Sequence, residues 1–479
     1  MSKFNLMEKY ILFLFCWLVS MSVNAQNVNI YTDNGFFHKF PIDKSDTLHV
    51  IDSLVIFKYN GGEINAEQND IDSITFGTVD FKNAVLYINT EEEKQITSRD
   101  TFMNCHCKMD GGTIFKSFEC YGKIRGRGNS TWLWTDGLIY GRRPYRVKFN
   151  NKNEMLGMKK NKDWVLLANW RDGSFMMNAF ANELGRYLGF PFSCHNRFCE
   201  VYLNNEYNGL YQICEQIERD DDRVDVPIEG AIISLDVDDG PESSPNTGNN
   251  FWSSIYSLPV SVKYPKDDEL TTARLEEIKQ DFNVLESLVN NHVYENVAKR
   301  LDIKSLIDFL IVQELTCNVE LDAPRSMYMY RDSLNVWHFG PLWDFDAGFD
   351  FDWSDMYTGH TYYASQKLLY GKDPANNPNY SWGTRFFLRM FKNKQFVTEY
   401  KKRWNSVKGN LITSIFTRLD NYKAQINNAQ SRNQQRWPIY WRDGVTKINY
   451  DSEYTKLKKW LTSRITVMTS AINSYPAGY

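Results

Sequence analysis

The chain has 479 residues, of which 42% are hydrophobic and 15% aromatic, so it can bury a large core and is expected to form more than one domain. Its formal net charge is -4, and the sequence contains no long basic run. This composition excludes a disordered chain, and the charge excludes nucleic-acid binding through a strongly basic surface.

The first 25 residues have the pattern of an export signal. Lys3 and Lys9 precede or flank an apolar run at residues 10–19, and a small-residue site ending at Ala25 precedes Gln26. The pattern predicts a signal peptide over residues 1–25 and a periplasmic, cell-surface or secreted protein. No later stretch is long enough for a membrane helix, so no transmembrane anchor is predicted.

Residues 26–80 are predicted to form a small β module. The segments LVIFKY (54–59) and DSITF (72–76) alternate apolar and polar side chains, and Asn60-Gly61-Gly62 is typical of a turn between strands.

Residues 81–270 are predicted to be rich in β-strands, with one helix. Strand patterns occur in AVLYIN, FECYGKIRG, YRVKF and DWVLLA. Apolar residues then recur at helical spacing from Met176 to Leu188, with Asp172 or Ser174 as the N-cap and Gly189 as the end.

Residues 271–479 are predicted to be mainly helical. Apolar stripes at residues 275–293 and 303–315 indicate two helices, and a hairpin ending in GPLWDFD follows them. After a loop-rich stretch at 350–384, helical patterns continue to the end. The order predicts an α+β, atypical protein-kinase-like fold with a β-rich small lobe (81–270) and a helical large lobe (271–479).

The heptapeptide GRGNSTW (126–132) predicts a loop that holds an anion. Glycine lets a ligand approach the backbone closely, and exposed N–H groups beside a guanidinium suit a phosphate. The candidate binding residues are Arg127, Gly128, Asn129 and Ser130. By itself the segment favours a tight β-turn, because no lysine follows at the spacing that a P-loop needs.

Cations that could neutralise phosphates follow in GRRPYRVKF. Arg142 and Arg143 precede the strand, and alternation places Arg146 and Lys148 on one face of it. Glu183, in the middle of the predicted helix, is the expected ion-pair partner of these cations, although a surface glutamate would give the same pattern.

The segment PLWDFDAGFDFD predicts a metal site. If its first part is extended, Asp344 and Asp346 face the same side, where two carboxylates repel each other unless a cation or proton lies between them. Oxygen ligands favour magnesium, manganese or calcium. Asp350 and Asp352 are interpreted as a solvated turn, and so are Asp236 and Asp238 near Gly240.

Two further acids, Glu320 and Asp322, lie in NVELDAPRS (318–326), on a short loop after a buried helix that Pro324 prevents from continuing. A carboxylate placed there could orient a hydroxyl nucleophile or accept its proton.

Beyond residue 26 the chain has seven cysteines, which is an odd number, so at least one thiol stays free. The spacings do not match a zinc site, and buried neutral thiols with at most one disulfide are expected.

Taken together, GKIRGRGNSTW, RRPYRVKF, DWVLLANWRD, EVYLNNEYNGLYQICEQI, SVKYP and FGPLWDFDAGF resemble the CotH kinase family, named for a spore-coat protein, over roughly residues 120–400. The N-terminal module resembles extensions on exported Bacteroidetes proteins. The resemblance implies a kinase-like fold that binds ATP and magnesium (or manganese) and phosphorylates serine or threonine in a protein substrate.

The resemblance also implies roles for individual residues. Asp344 matches the metal-binding aspartate of the kinase D-F-G element, and Glu320 stands where the family usually has its catalytic aspartate, with Asp322 as a substitute. Ser326 stands where some members have a second metal-binding asparagine. The family's lysine pair before PY is replaced by Arg142-Arg143.

The expected function is therefore that of an exported, metal-dependent protein kinase. The alternative is a catalytically weak or inactive kinase-fold surface protein that binds glycan or a protein partner. Glycoside hydrolysis by Asp344 and Asp346 would suit paired carboxylates but not the order of elements.

Overall fold

The computed structural model describes residues 27–475, apart from 33–36, 41–46, 52–53, 60–61, 68–70, 77–80, 134–141, 242, 246, 292, 350, 352–381 and 441–444. The predicted signal peptide and the aspartates at positions 350 and 352 lie outside the described residues.

The N-terminal strands form two small antiparallel sheets. One sheet has the order β2-β1-β6 and the other β3-β4-β5. The strands are β1 (Val28–Thr32), β2 (Phe37–Phe40), β3 (Thr47–Ile51), β4 (Leu54–Tyr59), β5 (Gly62–Glu67) and β6 (Ile71–Phe76). The two strands predicted here, at 54–59 and 72–76, are confirmed.

The next seven strands close into a barrel with the order β10-β11-β13-β12-β7-β8-β9. They are β7 (Ala84–Thr90), β8 (Met103–Asp110), β9 (Phe118–Gly126), β10 (Tyr145–Asn153), β11 (Asn161–Leu167), β12 (Arg197–Leu203) and β13 (Glu206–Glu215). Neighbours are antiparallel except β7 and β12, which pair in parallel. Alternate side chains such as Leu86, Ile88 and Val147 fill the interior.

A second sheet has the order β15-β16-β14-β17-β18. Its strands are β14 (Ala231–Leu235), β15 (Asn250–Trp252), β16 (Pro259–Tyr264), β17 (Met327–Arg331) and β18 (Trp337–Phe339). This sheet takes strands from both sides of residue 270, where the sequence places the boundary between the lobes. Its central strand, β14, is buried along its whole length.

The helices are α1 (Ser130–Leu133), α2 (Met177–Leu188), α3 (Thr272–Asn291), α4 (Tyr294–Val297), α5 (Ile303–Thr316), α6 (Arg385–Met390), α7 (Lys394–Arg436) and α8 (Tyr450–Ser474), with 3-10 turns at Glu91–Glu93, Val319–Leu321 and Trp382–Thr384. The predicted helices after β11 and from residue 271 onward are confirmed. Gly189 ends α2 in the left-handed conformation, as predicted. The predicted N-cap is wrong, because Met176 occupies that position without a side-chain cap, although Asp172 accepts a hydrogen bond from the N–H of Met177.

Helix α5 is the centre of the main core. Its residues from Leu306 to Thr316 are buried, and it contacts α2, α7 and α8. Helix α7 has 43 residues and is therefore about 65 Å long. Among the helices described, none combines the length and hydrophobicity needed to cross a bilayer.

The α+β class is confirmed by this arrangement. The closed barrel is a correction, because the sequence predicted only a β-rich small lobe and did not show that β7 returns beside β12. The two-lobed layout remains a prediction. The seven cysteines are free thiols, and five of them are buried.

Candidate functional site

The segment after β18 brings two carboxylates together. Asp344 has φ +64°, in the left-handed region where a residue other than glycine is strained by about 1 kcal/mol or more. Its side chain hydrogen bonds to that of Asp346, so the two acids meet as predicted. The extended conformation assumed for this segment is wrong, because β18 ends at Phe339. Burial and then the nearby Asp346 raise the pKa of Asp344 to about 7, and burial also raises the pKa of Asp346. Near neutral pH this pair therefore holds a proton.

Glu320 approaches the same pair from the end of α5. It lies on the 3-10 turn Val319–Leu321, where the side chain of Asn318 accepts a hydrogen bond from the Glu320 N–H at 3.1 Å. Glu320 is only 7% exposed, and its Oε2 atom has no hydrogen-bond partner among the described residues. Burial, followed by the charges of Asp344 and Asp346, raises its pKa well above 4.5. A buried carboxylate oxygen without a partner is unfavourable unless a ligand supplies one.

Asp236 is a further member of this acidic group, and its interpretation as part of a solvated loop is wrong. It follows the buried strand β14, is 9% exposed, and accepts hydrogen bonds from the N–H groups of Ser326 (3.0 Å) and Asp238 (2.9 Å). Burial and then Asp239 raise its pKa to about 6, and Asp236 adds to the repulsion felt by Glu320. Asp236 directly follows the strand AIISL, but nothing in the loop-like sequence DVDDG that begins with it marks it as buried.

Arg127 faces the acidic group from the barrel. Its guanidinium lies over the ring of Trp343, 5.4 Å from the ring centre, and its charge partly offsets the rise in the pKa of Asp344. Trp343 directly precedes Asp344 in the chain. The structure therefore places the predicted phosphate loop beside the predicted metal-binding segment.

The rest of that loop is held by Arg99, which sequence reasoning did not identify. The Nη1 atom of Arg99 donates to the carbonyl of Gly128 (3.1 Å) and to Oδ1 of Asn129 (2.9 Å). Gly128 has φ +80°, which explains why glycine occupies this turn. The side chain of Ser130 lies outside what the structure describes.

The predicted phosphate cations on β10 are engaged within the protein. Arg146 makes a two-point ion pair with Asp163, with both distances 2.7 Å, and Lys148 lies 3.9 Å from the same carboxylate. Arg143 stacks on Trp132 at 4.4 Å. Arg146 and Lys148 therefore lie on the same face of β10, as predicted. Their charges are already balanced by the carboxylate of Asp163.

Arg142 is a structural residue and does not face a ligand. It is 2% exposed and donates to the carbonyls of Leu210 and Ala168 and to the side chain of Asn433 in α7. Arg142 occupies one position of the family's lysine pair, but in this chain its side chain is not available to contact a phosphate.

Glu183 does not pair with the β10 cations, so that prediction is wrong. Its carboxylate contacts Arg186 on the same helix, and it accepts hydrogen bonds from the Tyr422 hydroxyl (2.8 Å) and from Asn196 (3.0 Å). Arg418 lies 3.7 Å away. The hydrogen-bond and ion-pair partners of Glu183 come from α2, α7 and the segment before β12, which are distant from one another in sequence.

A second arginine near the acids, Arg171, was also missed. It is buried, stacks on Trp170 (4.8 Å) and Phe351 (5.3 Å), and lowers the pKa values of both Asp344 and Asp346. The motif NWRD contains it. Asp322, by contrast, is only partly buried, at the end of the 3-10 turn that carries Glu320.

The chemistry of the donors suits a divalent cation that arrives with a phosphate ligand. Within the described residues, no group of three or more histidine, cysteine, aspartate or glutamate side chains is arranged to hold a metal by itself. Magnesium is commonly held by one or two carboxylates together with substrate phosphates and water. The Asp344 and Asp346 pair supplies two such carboxylates. A cation there would also offset the negative charge next to Oε2 of Glu320, which has no partner among the described residues.

Comparison with known proteins gives one result. The protein-family model described as CotH kinase protein matches residues 124–468. No curated protein matches the chain. The matched range covers Arg127, Asp236, Glu320, Asp344 and Asp346.

Proposed function

The chain belongs to the CotH kinase family, and on that premise we propose that it transfers the γ-phosphate of ATP to serine or threonine hydroxyls of a protein in a metal-dependent reaction. The observation that carries the proposal is the acidic pair Asp344 and Asp346 beside the buried Glu320, whose Oε2 has no partner among the described residues, with Arg127 of the glycine-containing loop nearby. Phosphoryl transfer needs this combination of carboxylates for a cation, donors for phosphates and a proton acceptor.

Each side of the site has a distinct task in this proposal. The Arg127 side chain and the backbone N–H groups of residues 128–130 bind the phosphates, and Arg99 holds that loop in place. Asp344 and Asp346 would hold the divalent cation, which supplies charge neutralisation when bound. Ser326 is a proposed additional ligand, fixed in place because its N–H donates to Asp236.

Glu320 is proposed to orient the acceptor hydroxyl and to take its proton at Oε2. In the unliganded protein burial, followed by the repulsion from Asp344 and Asp346, raises the pKa of Glu320 and favours its protonated form. Neutralising these two aspartates removes the repulsion, so the pKa of Glu320 falls and it becomes a base only when the site is loaded. Asp322 lies on the same turn and is the second candidate for this role.

The first 25 residues extend the proposal to the location of the reaction. A cleaved signal peptide would place residues 26–479 outside the cytoplasm, in the periplasm, at the cell surface or in the medium. The kinase would then depend on ATP present in that compartment.

The experiment that tests this function is mass spectrometry of residues 26–479 after incubation with ATP and magnesium or manganese. We expect covalent phosphate on the chain or on an added protein, and none with the Asp344→Ala variant. Asp268→Asn, an exposed aspartate after β16, is the matched control. Absence of phosphate in the wild type, together with no nucleotide-dependent rise in melting temperature, would contradict the proposal and favour the surface-binding alternative.

A further inference from the structure

A cavity of about 360 Å³ opens beside the acidic site, between the segment after α2, the β13–β14 connection and the turn after β18. Its apolar wall contains Phe190, Phe192 and Tyr330. Gly340 in the turn packs directly against the Phe190 ring, so close that a Cβ there would lie 3.0 Å from it. The wall is therefore preformed by packed aromatic side chains.

The rim of this cavity is negative. Asp221, Asp222 and Asp225 line it and are exposed, and none of their carboxylates has a side-chain partner among the residues described. Aromatic faces combined with free carboxylates favour an organic cation, through cation–π attraction and ion pairing.

The cation that lines the cavity from within the chain, Arg223, is already engaged. Its side chain donates to Glu218 Oε1 (2.6 Å), to the carbonyl of Gln216 (2.9 Å) and to the carbonyl of Asp163 (2.6 Å), and it stacks on Trp164. Arg223 therefore leaves the charge of the three rim aspartates unbalanced.

Strand β17 connects the cavity with the proposed phosphoryl-transfer site. Tyr330 in the wall and Tyr328 are two residues apart on β17 and share one face, so they lie about 7 Å apart along the strand. Burial raises the pKa of Tyr328, and the charges of Asp236 and Asp344 add to the rise, which places this phenol beside the acids. Pro341 in the lining precedes Asp344 by three residues.

We propose that this cavity binds a lysine or arginine side chain of the acceptor protein and so selects hydroxyls with a basic residue nearby. Because an extended peptide advances about 3.3 Å per residue, the basic residue lies about two to four positions from the phosphorylated hydroxyl. The inference rests on the proposed kinase function and adds the substrate class and the specificity-determining residues Asp221, Asp222 and Asp225.

The test uses nine-residue fluorescent peptides with one central serine on a glycine–alanine background, carrying lysine or glutamine at each of the other positions. Binding is measured by fluorescence anisotropy without nucleotide, and phosphate transfer is measured separately with ATP and magnesium. For wild type we expect lysine two to four positions from the serine to tighten binding about tenfold over glutamine.

The variant Asp221→Asn/Asp222→Asn/Asp225→Asn should lose that preference. The control Asp267→Asn/Asp268→Asn/Glu269→Gln removes the same charge from an exposed turn and should keep it. Equal binding of lysine and glutamine peptides by wild type, or an unchanged preference in the rim variant, would overturn the inference. Selective binding without phosphate transfer would support the cavity's role and count against the kinase function alone.

Discussion

Two buried glutamates in this protein have opposite surroundings. Glu183 on α2 is 2% exposed and Glu320 after α5 is 7% exposed, so depth does not distinguish them. Burial alone would raise the pKa of Glu183, but Arg186, the hydrogen bonds and Arg418 outweigh it and lower the pKa to about 2. For Glu320, burial and the neighbouring aspartates act in the same direction and raise the pKa.

The comparison separates a structural carboxylate from a functional one. Glu183 has its cations inside the fold, so its charge stabilises the contact between α2 and α7. The acids around Glu320 repel one another, which costs stability in the unliganded protein. A repulsive group of acids is favourable only when a bound cation neutralises it. The acidic site, and not the Glu183 network, is therefore the candidate for chemistry.

The largest expected effect is the loss of activity in Glu320→Gln. The substitution keeps the size of the side chain but removes the proton acceptor, so phosphate transfer should fall about 10²- to 10⁴-fold. The melting temperature of the unliganded protein should stay about equal, because the raised pKa of Glu320 favours its neutral form there and glutamine is neutral as well. Single-turnover transfer with saturating ATP and magnesium measures the first quantity and calorimetry the second.

Glu320→Asp is the matched variant, since it restores the family's usual aspartate. It should retain more activity than the glutamine variant. Full activity in Glu320→Gln would assign the proton acceptor to Asp322 instead, and the corresponding Asp322→Asn variant would then lose activity.

Glu183→Gln should show the reverse pattern, with a loss of stability. The substitution removes the buried carboxylate that balances Arg186, which is itself only partly buried, so the free energy of unfolding should fall by about 3 kcal/mol. Activity per folded molecule should change little. Urea denaturation measures the effect, with the exposed Glu295→Gln as control. A drop in activity without a loss of stability would contradict the structural role of Glu183.

Arg127→Gln should give a smaller effect, on ligand binding. Loss of one charge-assisted phosphate contact is expected to weaken nucleotide affinity about tenfold. Arg127→Lys should recover part of that loss because it restores the charge. The nucleotide-dependent rise in melting temperature reports this difference, and an unchanged rise in Arg127→Gln would remove the loop from the phosphate site. Arg99→Gln should weaken binding less, since Arg99 only supports the loop.

Sequence patterns were sufficient to select residues that the structure brings together, while their roles stay predictions. Asp344 and Asp346 were selected as paired acids after an apolar strand, and Glu320 by its place after a buried helix. The helices and most strands followed from their apolar periodicity in the same way.

Properties that depend on distant segments were not predictable. Closure of the barrel requires parallel pairing of β7 and β12, which more than a hundred residues separate. The partners of Glu183 come from three segments that only the tertiary fold assembles, and the burial of Asp236 depends on the packing of β14 between β16 and β17. A loop-like sequence such as DVDDG gives no sign of that packing.

The smallest expected effect is on the pH dependence of stability, where the two regions should again differ in sign. The pKa of Asp344 is about 7 in the folded protein and about 3.9 when unfolded, so between these values the folded state holds the extra proton. The stability that Asp344 contributes is full below pH 3.9 and is lost as the pH rises through 7. Wild type should therefore lose on the order of 1 kcal/mol relative to Asp344→Asn between pH 5 and pH 8.

Glu183 has the opposite dependence, because its folded pKa of about 2 lies below the unfolded value. Its contribution is present above about pH 4.3 and is lost as the pH falls toward 2. Melting temperatures of wild type, Asp344→Asn and Glu183→Gln across pH 3–8 compare the two regions in one experiment. The wild-type and Asp344→Asn melting curves could instead stay parallel from pH 5 to 8. That result would show that the repulsion between the acids is already relieved in the unliganded protein, and it would remove the argument that the acidic site binds a cation.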